Sequence, residues 1–141
     1  MSVQMTDLQK PPPRSLRVIR LLFHIYLRLL AVIFFGAAIY AWMQAIGFWD
    51  GDNYRFDTMG MALRIYTAVM VVMLPVASVG LWTTLPWGRV IWFFAVAFQS
   101  VSMIRFPDLF AMPALVLLFH FCCLAIYVVF QLLLLLIAKK E

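Results

Sequence analysis

Four long apolar runs, near residues 28–48, 61–82, 88–105 and 112–135, dominate the chain and are separated by short segments rich in Pro, Trp, Asp and Arg. A helix crosses a hydrocarbon layer of about 30 Å with ~20 apolar residues at 1.5 Å per residue, and each run is close to that length. The expected fold is therefore all-α: an integral membrane four-helix bundle. The connections are short, so consecutive helices should pack antiparallel. The chain has 141 residues, 66% of them hydrophobic and 12% charged, against about 45–50% and 25% in soluble domains. Little is left to build a soluble catalytic lobe, and the expectation is a protein that is not an enzyme.

The basic residues set a direction. Lys10, Arg14, Arg17, Arg20, Arg28, Arg89, Lys139 and Lys140 fall on one side of the spans, against Arg55, Arg64 and Arg105 on the other. The positive-inside rule puts both termini in the cytoplasm. Trp49 and Tyr54 bracket the exit of the first span, and Trp82 and Trp87 bracket the turn between the second and third, where amphipathic rings favour the headgroup boundary. The net charge of +5 is accounted for by the anionic leaflet, at ~1 kcal/mol per Lys or Arg near the surface, with no need of nucleic acid. Residues 1–13, ending in Pro11-Pro12-Pro13, are expected to form a disordered cytoplasmic tail, and 139–141 a cytoplasmic end. No small-residue cleavage pattern follows the first apolar run, so the first helix is expected to be retained.

The segment RSLRVIRLLFHIYLRLL (14–30) places charges where a membrane helix would begin. On a helix Arg14, Arg17, Arg20, His24 and Arg28 share one arc of about 120°, with Leu16, Val18, Ile19, Leu22, Phe23 and Ile25 over much of the rest. This reads as a basic amphipathic helix along or just below the cytoplasmic leaflet, leading into the first span, with arginine heads snorkelling to phosphate. Holding the N-terminus inside explains the number of charges. Their confinement to one face points further, to anionic headgroups or an acidic partner.

Within the spans, His120, Cys123, Tyr127 and Gln131 share an arc of about 80° on the fourth helix. Two readings remain open: hydrogen bonds across the bundle, to Gln99 and Ser102 of the third span, or a polar path for a transported solute. No carboxylate lies at membrane depth to hold and release a cation. Ala37, Ala41 and Ala45 form a small-residue stripe suited to helix docking. Pro75 leaves the Val71 carbonyl without its helical donor and predicts a kink. Adjacent Cys122 and Cys123 are packing residues by their spacing, and no metal or cofactor site is expected. His24 and His120 lie near opposite faces and cannot share one haem. The loop GFWDGDNYRFD has Arg55 where a calcium loop needs glycine and Met61 where it needs glutamate. Asp57, Arg64, Arg105 and Asp108 are placed to pair across the outer ends of the second and third spans. No phosphate loop, nucleophile elbow or metalloprotease motif is present.

The segments MLPVASVGLW (73–82) and LPWGRVIW (85–92), with RFD (55–57) ahead of them, resemble a small four-span inner-membrane family of unknown function from alphaproteobacteria, over residues 15–138. The resemblance implies a bacterial inner membrane and supplies no activity or catalytic residue. Small multidrug exporters fit poorly, because their first span needs a buried Glu and this one has no acid. The expected role is an accessory or scaffold subunit of an envelope complex. Its partners would be anionic lipid headgroups and either another membrane protein or further copies of itself. The alternative is a small transporter or channel with its path along the fourth span.

The topology predicts that a reporter active only in the cytoplasm works when fused after Glu141 and is silent when fused after Arg105. The opposite pattern would reverse the assignment.

Overall fold

A computed structural model describes residues 14–48 and 56–139. The predicted tail 1–13, the aromatics Trp49 and Tyr54, the outer-loop residues Asp50, Asp52 and Arg55, and the end at 140–141 lie outside the described residues. The helices are α1 (Arg14–Ala45), α2 (Met61–Trp82), α3 (Pro86–Arg105) and α4 (Pro113–Lys139), with a short 3-10 turn at Pro107–Leu109. No strand occurs among the described residues. All four helices are long and apolar enough to cross a membrane, which makes this a multi-pass membrane protein.

The helix ends follow local chemistry. Gly47 adopts φ 71°, and the amides of Gly47 and Phe48 return to the carbonyls of Gln44 and Met43 at 3.2 and 2.9 Å, closing α1 with a left-handed glycine cap. Pro86 opens α3 and Pro113 opens α4, at the first helical position where a missing N–H costs nothing. Pro107 follows Phe106, whose φ of −134° has already left the helix, as the residue before a proline must. Inside α2, Pro75 is half-buried and the helix continues through it to Trp82.

α1 and α2 run antiparallel along the main seam. Leu27, Leu30, Ala31, Phe34, Ala38 and Ala41 of α1 form one core with Met70, Leu74, Ala77 and Leu81 of α2. The Ser78 hydroxyl donates to the Ala31 carbonyl at 2.8 Å across this seam. The docking stripe differs from the expected Ala37, Ala41 and Ala45: Ala41 is buried, Ala45 is half-buried and Ala37 is exposed. Residues spaced by four drift about 40° per step around a helix, whereas Ala31, Phe34, Ala38 and Ala41, spaced by three and four, stay on one line.

The basic segment leads into the first span without a break: it is the first part of α1, which runs for 32 residues, about 48 Å and well over the ~30 Å hydrocarbon thickness. Nothing between Arg14 and Gly36 breaks the helix. Its apolar side is used within the bundle: Phe23 packs against Tyr127 and Phe130 of α4, at centroid distances of 5.8 and 5.7 Å.

At the α2–α3 corner the backbones touch. A Cβ on Gly80 would collide with Gly88, and one on Gly88 with Gly80. Leu85 N–H reaches the Gly80 carbonyl at 3.2 Å, the Thr83 hydroxyl donates to Val79 O at 2.9 Å, and Thr84 takes φ 56°. The glycines and Pro86 of VGLWTTLPWG are therefore the requirements of a corner tight enough to bring two helix ends into backbone contact.

Gly80→Ala and Gly88→Ala should each destabilise the protein by about 1–3 kcal/mol through overpacking. Thr84→Gly should be neutral or stabilising, because it relieves a left-handed β-branched residue. Thermal melts in detergent check both; an unchanged melting temperature in the two alanine variants would show that the corner opens freely.

Candidate functional site

α4 is attached through a belt of polar and aromatic contacts. The Tyr26 hydroxyl of α1 donates to the Cys123 carbonyl at 2.6 Å, and Ser100 Oγ of α3 lies 3.3 Å from His120 Nδ1. His120 and Cys123 are the buried residues of α4. One turn on, Tyr127 packs among Phe23, Trp92 and Phe93 at 5.8, 5.6 and 5.3 Å, and Gln131 Nε2 donates to its hydroxyl at 3.0 Å. Trp92 is fully buried, and its Nε1 has no hydrogen-bond partner among the described residues.

The stripe His120, Cys123, Tyr127 and Gln131 thus turns inward as one face. Its predicted partners on α3 do not meet it. The Ser102 hydroxyl is satisfied within its own helix, donating to Phe98 O at 2.8 Å, and Gln99 stands beside Tyr66 of α2. Ser100, about 100° round the helix from Gln99 and about 160° from Ser102, takes the contact because it shares a helix face with the buried Trp92 and Val96. The spacing Trp92, Val96, Ser100 was the available signal. Tyr26 and Ser78, each donating to a carbonyl on another helix, are the other polar residues that sequence reasoning missed. The described residues contain no group of three or more His, Cys, Asp or Glu able to hold a metal. Such bonds, at roughly 0.6–2 kcal/mol each, fix rotation and register more than they drive association.

Arg14, Arg17, Arg20, His24 and Arg28 are all exposed, while Leu16, Phe23 and Leu27 on the same helix are buried. The Arg28 guanidinium lies 5.7 Å from the centre of the Trp82 ring, a cation–π contact that ties the basic face to the end of α2. At the other end of the bundle Arg64 donates to the Asp57 and Met59 carbonyls at 2.8 and 3.4 Å. It stabilises the approach to α2 through backbone oxygens.

A cavity of about 730 Å³ lies between the Gln44 end of α1, the first half of α2, Gln99 and Met103 of α3 and the start of α4. It takes Leu115 and Val116 from α4, not the belt residues. It exists because α4 is fastened to α1 at Tyr26 and to α3 at Ser100, while the lining part of α1, Ala37 to Gln44, lies more than three turns beyond Tyr26.

A family of unknown function, DUF6163, has a model that matches residues 21–138. The match begins just after Arg20, so most of the basic arc precedes it. No curated protein and no solved structure matches the chain.

Tyr26→Phe and His120→Ala should each lower stability by about 0.6–2 kcal/mol. The His120→Ala, Ser100→Ala double variant should cost less than the sum of the singles. Unfolding in mixed detergent micelles measures this, and strict additivity would separate the two residues.

Proposed function

This chain belongs to the DUF6163 family, described only as a family of unknown function, and from its own geometry we propose that it is a non-enzymatic accessory or scaffold subunit of a larger complex in a bacterial inner membrane, with both termini cytoplasmic. The observation that carries the reading is the coverage of α4. Of its 27 residues only His120 and Cys123 are buried, a far smaller share than in the other three helices. Opposite the polar belt run Leu118, Cys122, Ala125, Val129 and Leu136, all exposed. Lipid tails solvate such a face as well as a neighbour does, so association there depends on close approach, and the small Cys122 and Ala125 permit it. Ala31, Ala38 and Ala41 of α1 are used internally against α2, and α4 is the least covered of the four helices, so it has the most to gain from a partner.

The basic face of α1 supports the same reading. Arg14, Arg17, Arg20, His24 and Arg28 form an exposed row suited to anionic headgroups or to acidic residues of a partner, at ~1 kcal/mol per basic residue near an anionic surface. The transporter reading has less behind it, because His120, Cys123, Tyr127 and Gln131 engage α1, α3 and each other, and the cavity draws on other residues of α4.

Photo-crosslinking groups at Leu118, Ala125 and Leu132 should capture one reproducible membrane-protein partner in cells, with groups at Val32 or Ile33 of α1 as the comparison. A lone monomer with no reproducible product from α4 would sink the proposal. Arg17→Glu with Arg20→Glu should weaken capture or membrane insertion; full retention of both would remove the basic face from it.

A further inference from the structure

The cavity at the Pro113 end of α4 is chemically graded along its length. Its lining on α2 runs from Gly60 to Leu74, about 21 Å at 1.5 Å per residue. The deep end presents Met70 and Leu74, both buried. Midway stand Tyr66 and Gln99, and the end nearest the helix termini carries Gln44 and Asp108. Among the described residues Asp108 is the one formally charged residue in the lining, and its side chain is exposed. The volume of about 730 Å³ is within the range of roughly 300–1,000 Å³ typical of ligand pockets.

Each feature narrows the occupant. A water needs two to four polar partners; the lining hydroxyl one turn from Met70, that of Thr67, is turned to Met59 Sδ at 3.7 Å, and Met70 and Leu74 offer no strong partner, so this part is suited to hydrocarbon. The extended shape suits a chain. At the other end the Asp108 carboxylate attracts an ammonium group and repels a head that bears only phosphate or carboxylate. Lipid is also the surrounding solvent, so a chain reaches the space between α1 and the start of α4 without crossing water.

We propose that this cavity is a binding site for a membrane lipid with an amine-bearing head, its acyl chain lying against Ala37, Met70 and Leu74 and its ammonium beside Asp108. Ala37 is the residue that leaves room for the chain: it is exposed, it lines the cavity, and it takes no part in the α1–α2 core. The site is separate from the outward face of α4, so the two proposals stand or fall independently.

The full chain reconstituted in nanodiscs of equal phosphatidylethanolamine and phosphatidylglycerol, then released for native mass spectrometry, tests it. The expected result is a species carrying phosphatidylethanolamine, with occupancy about tenfold lower in Ala37→Phe, equivalent to about 1.4 kcal/mol, and unchanged in Ile39→Phe on the lipid-facing side. Asp108→Asn, an exposed and conservative change, should abolish the preference between the two heads while leaving a chain bound. Absence of retained lipid, equal or greater retention of phosphatidylglycerol by the unaltered protein, a lipid-free dimer, or undiminished occupancy in a folded Ala37→Phe protein would each overturn the proposal. The Asp108→Asn comparison decides it if Ala37→Phe does not fold.

Discussion

Because lipid tails solvate leucine as well as a neighbouring helix does, apolarity alone cannot join α1 to α2. The seam depends on close approach: Ala31, Ala38 and Ala41 keep the α1 surface low, and the Ser78 hydroxyl crosses to the Ala31 carbonyl at 2.8 Å. At the foot of α2 the same principle reaches its limit, where Gly80 and Gly88 put two backbones in contact and set how α3 departs. The three helices so joined form the closely packed part of the molecule. Trp92, fully buried with no partner for its Nε1 among the described residues, shows that packing rather than polar satisfaction has priority there.

α4 is held differently. Its attachments are a tyrosine hydroxyl on a backbone carbonyl, a serine against a histidine ring, and aromatic contacts around Tyr127. Directional bonds of this kind set rotation and register while covering little surface. Two consequences share that cause. The far side of α4 is left to lipid or a partner, and its Pro113 end stands off from α1 to leave the cavity. A helix packed along its length, as α2 is, would have removed both.

The basic row on α1 gains a structural context from Phe23 and Leu27, which turn the flank beside the row into the bundle. The arginines are therefore presented by a helix with a fixed rotation, and Arg28 is further anchored over Trp82. A fixed row of cations differs from a flexible basic tail in that its spacing is set before any headgroup or partner arrives, which lowers the ordering cost of binding.

The existence of four apolar helices, their membrane character and the shared face of His120, Cys123, Tyr127 and Gln131 were determined by the sequence alone. They depend on hydrophobic length and on a period of 3.6, both local properties. Which α3 residue meets His120 was decided only in three dimensions, since Gln99, Ser100 and Ser102 differ by rotations that depend on where a neighbouring helix lies. The choice of Ala38 over Ala37, the joining of the basic segment to the bundle through Phe23, and the cavity are likewise tertiary. Each arises from the angle and distance between helices, which in lipid are set by a few small residues and hydrogen bonds rather than by the apolar pattern that makes the helices recognisable.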